Sequence, residues 1–126
     1  MDTTLYLTLD EVLALHAALL ARHGGAHGVR DMGLVESALA RPRSGYYESL
    51  SEQAAALLQS FAMNHAFIDG NKRVAWASSM VLLRMNGYRV RIGADDAERF
   101  LIDQVVTGRA EVAPIAQWLE RSMHAV

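Results

Sequence analysis

No cysteine occurs among the 126 residues, so disulfide staples and thiolate metal centres are excluded. Proline occurs twice, and each has a local reading. Arg41-Pro42 stops a helix, because the residue before proline avoids helical angles, while Pro114 is tolerable only in a helix's first turn. Neither sign of charge dominates: 12 Lys+Arg stand against 14 Asp+Glu, a net charge of −2. Without a broad cationic face, direct nucleic-acid binding through phosphates is not expected. Long apolar runs are missing as well. The longest mostly apolar stretch, residues 74–83, is interrupted by Ser78 and Ser79 and falls short of the about 20 residues that span a bilayer. Residues 1–5 carry no basic segment leading into an apolar run, so no secretory leader is expected. A single soluble domain over residues 1–126, located in the cytoplasm, is the expectation. The last scarcity concerns lysine. Lys72 is the sole lysine, and the other eleven cations are arginines. An ordinary solvated surface uses lysine freely, so its surroundings call for a chemical explanation.

The residues present favour helix. The hydrophobic fraction is 52%, much of it Ala and Leu, both strong helix formers. Thr8 and Glu11 form a capping box, and Leu9, Val12, Leu13, His16, Leu19 and Leu20 follow at helical spacing. Gly24-Gly25 ends that helix. Asp31 is placed to cap a short helix over about 33–40. Ser49 and Glu52 form a second capping box, opening a helix to about residue 64 that is apolar nearly all round, as a central buried helix is. Another apolar helix spans about 71–86 and closes at Gly87. Residues 88–92 alternate like a strand, but one isolated strand is weak evidence for a sheet. Asp95 is expected to cap a helix to about residue 106, and a last helix is expected over about 111–123. The pattern predicts an all-α fold, a compact bundle of about six helices with a loop between two buried helices.

That loop and the first turn after it read His65-Ala66-Phe67-Ile68-Asp69-Gly70-Asn71-Lys72-Arg73. The first amides of a helix starting near Asn71 lack intrahelical acceptors, and with the macrodipole they make an anion site. Gly70 lets backbone approach closely. Lys72 and Arg73 oppose the dipole unless an anion compensates them, and phosphate is the natural one. Asp69 supplies a hard oxygen suited to Mg²⁺ held jointly with substrate phosphates. Histidine is the side chain suited to proton transfer near neutral pH, and His65 is a candidate base for an attacking hydroxyl, a role worth roughly 10²–10⁴ in rate. Together these parts match phosphoryl or nucleotidyl transfer. Blander readings stand beside this one: a structural histidine, and an ordinary Asp-Gly-Asn-Lys turn. A calcium loop fails, because Met80 occupies the position of its required glutamate. A His65/Asp69 zinc pair has no second histidine nearby in sequence. Phe67 reads as a core anchor without chemistry.

The same nine residues resemble the signature of the Fic/Doc family, approximately His-x-Phe-x-(Asp/Glu)-Gly-Asn-(Gly/Lys)-Arg. Residues 29–42 also look typical of the N-terminal halves of its Doc-like members. The resemblance implies an all-helical fold, His65 as general base, Asp69 as the Mg²⁺ ligand, an anion hole shaped by Gly70, Asn71 and Lys72, and Arg73 gripping a nucleotide phosphate. AMP-transferring members usually carry Gly where Lys72 stands and a further Arg where Trp76 stands. Both departures point to the Doc (death-on-curing) branch, toxins of toxin–antitoxin systems. These transfer the γ-phosphate of ATP to a protein Ser/Thr hydroxyl, with elongation factor Tu as the implied target, and so inhibit translation. Gly70 is nearer the AMP-transferring pattern and keeps AMP transfer open. The inhibitory pattern (Ser/Thr)-x-x-x-Glu-(Gly/Asn) found in many Fic proteins has no match, so an antitoxin acting in trans is the implied partner. The loop bearing Tyr46 and Tyr47 corresponds to the flap that aligns target segments, or simply packs on the core. A non-catalytic helical binding module remains the alternative from another class.

Overall fold

The computed structural model describes residues 3–126. Met1 and Asp2, part of the segment read for a leader, lie outside it. Six α-helices, one π-helix and a two-stranded ribbon make up the described residues: α1 Leu9–His23, α2 Met32–Ala40, α3 Leu50–Met63, α4 Asn71–Met85, β1 Tyr88–Val90, α5 Ala94–Phe100, the π-helix Leu101–Thr107, α6 Val112–Arg121 and β2 Met123–Ala125. None of these helices is long and apolar enough to cross a membrane.

Helix starts follow local side-chain chemistry. The Thr8/Glu11 and Ser49/Glu52 capping boxes both form, each side chain taking an amide the helix leaves unpaired. Asp31 accepts from the Leu34 amide and opens α2 one residue earlier than the pattern suggested. Gly24, at φ 81, ends α1 and returns its N–H to the Leu20 carbonyl at 2.7 Å. Pro114 sits in the first turn of α6, where its missing N–H leaves no helical bond unmade.

Helices α3 and α4 are the centre of the bundle. On α3, Ala54, Ala55, Leu58 and Phe61 are fully buried, and on α4 so are Val74, Ala75, Ser78 and Ser79. Small side chains at the crossing let the two backbones approach. The Ser79 hydroxyl spans the gap, donating within its helix to the Ala75 carbonyl (2.8 Å) and lying 3.2 Å from the Ala54 carbonyl on α3. An aromatic ladder closes the side toward α6: Trp76 meets Trp118 edge-on at 5.9 Å, and Trp118 stacks on Phe100 at 3.7 Å.

Three expectations are corrected. Asp95 does not cap α5: Gly93 is the N-cap residue, without a side-chain bond, and Asp95 lies in the first turn, where its charge complements the dipole. The helix after it does not continue regularly to 106 but widens into the π-helix after Phe100. Its wider turn ends with the Gly108 N–H on the Asp103 carbonyl and the Ala110 N–H on the Gln104 carbonyl. The last helix stops at Arg121 rather than 123, because Met123–Ala125 becomes β2. That strand pairs antiparallel with β1, Tyr88 opposite Ala125 and Val90 opposite Met123. The strand expected near 88–92 is therefore real, and its partner comes from the C-terminal segment.

Candidate functional site

The segment between α3 and α4 is short, and four side chains, Asn64, Asn71, Asp69 and His16, fix its backbone. Asn64, the C-cap of α3, reaches forward and back: its Oδ1 accepts from the Ala66 N–H (3.0 Å) and its Nδ2 donates to the Leu34 carbonyl (3.2 Å). His65 is thereby held between two anchored neighbours with φ 54. Left-handed backbone is uncommon for a residue with a Cβ, though histidine is among the enriched types. His65 is exposed, and its ring makes no hydrogen bond to a described residue.

Ala66 and Phe67 turn inward and are fully buried. Here the loop after α1 runs alongside as a second strand. Val29 and Phe67 form an antiparallel bridge, the Arg30 N–H donates to the Ala66 carbonyl (2.8 Å), and the Ile68 N–H donates to the Gly28 carbonyl (3.1 Å). Asn71 locks the far end by two hydrogen bonds to Phe67. Its Oδ1 accepts from the Phe67 N–H (3.0 Å) and its Nδ2 donates to the Phe67 carbonyl (2.9 Å). Asn71 thus shapes the loop, with its amide occupied by backbone on both sides.

Asp69 is exposed, with both carboxylate oxygens on backbone amides. Oδ2 accepts from Ala26 (3.0 Å) and Oδ1 from Gly70 (2.8 Å). These bonds, Ala26's first and Gly70's next, hold its carboxyl below the ordinary aspartate value, with smaller help from the positive charges of Arg73 and His16 and against a small opposing push from burial. The group is an anion throughout the neutral range. Gly70 is the N-cap of α4 at φ 79, a left-handed turn that suits glycine. The first intrahelical bond runs from Val74 N–H to the Gly70 carbonyl (2.9 Å). The amides of Asn71, Lys72 and Arg73 precede it and are unused within the helix. Lys72 and Arg73 are exposed on the same turn. The one ion pair among the described residues joins Arg99 and Asp96 elsewhere, so neither cation is in direct ion-pair contact, although Asp69 feels the Arg73 charge. No side chain caps this helix.

All six residues singled out from sequence, His65, Asp69, Gly70, Asn71, Lys72 and Arg73, fall on one continuous segment. At its C-terminal part it presents three free amides, two unpaired cations and a carboxylate, and at its N-terminal part an exposed histidine. Such an arrangement is able to receive an anion and places a histidine upstream of it. For a divalent cation the donor set is thin: no three His, Cys, Asp or Glu residues cluster for one among the described residues. The residues fit Mg²⁺ only as one carboxylate completing a shell of phosphate oxygens and waters. They do not fit a self-sufficient protein site.

Sequence reasoning missed two contributors. His16, read as one apolar-face position of α1, is buried; its ring stacks on Phe67 (3.9 Å between centroids, 16° between planes) and its Nε2 lies 2.8 Å from the Asp69 carbonyl. Asn64 was read only as a helix end. Tyr46 and Tyr47 belong to the loop of residues 41–48, and they differ. Tyr46 is 81% exposed, whereas Tyr47 is half-buried and accepts from Arg41 Nε at 3.1 Å. Arg41 also donates to Ser60 Oγ (3.0 Å), tying the loop's root to α3. A hollow of about 380 Å³ opens between α2, α3 and the segment after the π-helix, with Ser37, Arg41, Ser60, Asn64 and Arg109 in its wall. Asn64, the residue before His65 in sequence, is part of that wall, and His65 itself is not.

Known proteins match most of this chain. The model of the Fic/DOC family matches residues 6–83. A protein of Mycolicibacterium smegmatis (strain ATCC 700084 / mc(2)155) named Toxin Doc is 40% identical over 119 residues, covering 90% of this chain and 89% of its own. Protein kinase doc of Escherichia phage P1 is 35% identical over 120 residues, covering 92% of this chain and 94% of its own.

Proposed function

Because the chain belongs to the Fic/Doc family, we propose that it is a Doc-like toxin, a protein kinase that transfers the γ-phosphate of ATP to a Ser/Thr hydroxyl of a target protein. The observation that carries this reading is the pair of cations outside any direct ion pair, Lys72 and Arg73, on the uncapped first turn of α4. Cations there oppose the helix dipole and are favourable only when an anion joins them. The names of the two relatives, a toxin and a protein kinase, support the same class.

In this reading the free amides of residues 71–73, with Lys72 and Arg73, hold the nucleotide phosphates. Asp69 would hold Mg²⁺, and the bound ion would supply charge neutralisation along the phosphates. His65 accepts the proton of the target hydroxyl as its oxygen bonds to the γ-phosphorus. The bond from that phosphorus to the β–γ bridging oxygen breaks, and ADP carries the electron pair away. The hollow beside Asn64 and the loop bearing Tyr46 offer the target segment a path to His65. Elongation factor Tu is the proposed target, with inhibition of translation in the cytoplasm as the consequence. An antitoxin protein in trans is the proposed partner.

The experiment incubates purified protein with Mg²⁺, elongation factor Tu and ATP labelled at the α or the γ position. Label appearing from the γ position alone is the expected result. Label from the α position alone overturns it in favour of AMP transfer, the second reading, which rests on Gly70 and its left-handed turn. A third reading, a helical binding module without chemistry, predicts harmless expression in bacteria and no effect of His65→Ala. Growth arrest that His65→Ala relieves removes it.

A further inference from the structure

We propose that His16 is a positioning residue for the anion receptor: its Nε2–H, donated across the fold to the Asp69 carbonyl, sets the direction of the Gly70 turn and hence of the α4 amides and the Asp69 carboxylate. The inference rests on the reading of the α4 N-terminus as a nucleotide-phosphate site. A carbonyl oxygen can only accept, so at 2.8 Å the proton must sit on Nε2. The donor comes from the middle of α1, 53 residues away in sequence, so the bond ties the loop ahead of α4 to that helix.

Its location explains why it matters. Phe67 is clamped by Asn71, and the Val29 bridge fixes it on the other side. The next residues, Ile68 and Asp69, are exposed, and between Phe67 and Gly70 the Asp69 peptide is the one that orients the turn. Its amide partners, Ala26 and Gly70, bind the side chain and leave the carbonyl to His16. A Cβ built on Gly70 would lie 3.6 Å from His16 Nε2, so the imidazole also forms the floor beneath the turn. The face-to-face stack on Phe67 aims the ring, because a stacked imidazole has one edge free to reach that carbonyl. His65 stands on the other side of the Phe67 bridge, under the separate hold of Asn64. The donor is therefore expected to affect nucleotide binding far more than proton abstraction.

Two substitutions separate the donor from the ring. In His16→Gln the side-chain Nε2 falls where the histidine Nε2 was, so the donor stays and the stack is lost. In His16→Phe the stack stays and the donor goes; His16→Leu replaces it should that variant fail to fold. Amide hydrogen exchange at Ala26 and Gly70, whose N–H groups bind the Asp69 carboxylate, is measured on each folded protein without nucleotide. The expected result is exchange at least tenfold faster in His16→Phe and near wild type in His16→Gln. With Mg²⁺ and ATP, KM for the nucleotide should rise about tenfold in His16→Phe with kcat within threefold, and His16→Gln should recover most of it. Unchanged exchange in His16→Phe, equal loss in both variants, or a fall in kcat alone overturns the proposal. If wild type transfers nothing from ATP, the reading of the site fails, and the exchange result still decides the role of His16.

Discussion

Gly70 and Asp69 show how single residues set the site. Gly70 has φ 79, and a Cβ there would meet nothing closer than 3.6 Å. Gly70→Ala therefore creates backbone strain without a clash, and is expected to cost about 1–2 kcal/mol, read as a lowered urea midpoint with an unchanged slope. Asp69 carries a pH signature. Its folded-state pKa lies below the ordinary value, so the native fold prefers its anion. The stability this confers is present in full above about pH 4, the ordinary aspartate range, and fades as pH falls through the lowered value. In an acid titration followed by circular dichroism, Asp69→Asn should lose less stability between about pH 4 and pH 2 than wild type does. Residue types were legible here and partners were not. His65, Asp69, Lys72 and Arg73 announce chemistry by their spacing. His16 sits at a core position of α1, and its acceptor is 53 residues on, so no local pattern marks it. Asn71 was read as shaping the anion hole, and no sequence pattern shows that its side chain grips both backbone groups of Phe67.

Whole elements were legible wherever local chemistry decides them. Both capping boxes and the Asp31 cap mark helix starts in the sequence, and Gly24 marks a stop. The π-helix and β2 were not legible for physical reasons. A widened turn keeps the apolar spacing of Leu101 and Val105 and changes only which carbonyl each amide reaches. Strand β2 exists because β1 offers it a free edge 35 residues upstream, a pairing that helical propensity in residues 111–123 does not foresee. The α3–α4 crossing gives a test of element packing. Ser79 is fully buried, and its hydroxyl bridges the two helices. Ser79→Ala should cost about 1 kcal/mol for the lost hydrogen bond. Ser79→Leu must also push the helices apart and is expected to add about 1–3 kcal/mol. Urea denaturation of both variants measures this, and equal losses would mean that the close approach of the helices contributes nothing.

At the scale of the whole molecule, the candidate site is built onto the core and shares a side chain with it. Phe67 is fully buried, stacked on His16 of α1, 5.9 Å from the Phe61 ring of α3 and bridged to Val29 through its backbone. One ring thus joins α1, α3 and the loop that carries the candidate residues, so the packing of the core and the shape of that loop are coupled there. Ile115 of α6 is equally buried but belongs to an element that contributes nothing to that loop. Phe67→Ala is expected to cost about 3–5 kcal/mol and Ile115→Ala about 2–5 kcal/mol, out of the roughly 5–15 kcal/mol that holds such a domain together. Thermal melts should therefore fall for both. Nucleotide affinity measured well below both midpoints should separate them: Phe67→Ala loses its anchor for the Gly70 turn and binds at least tenfold more weakly, while Ile115→Ala binds as wild type does. Equal affinity in the two variants would show that the loop keeps its shape through Asn71 and His16 without the ring. Weak binding in both would show that the whole bundle, rather than Phe67 in particular, holds the α4 amides in place.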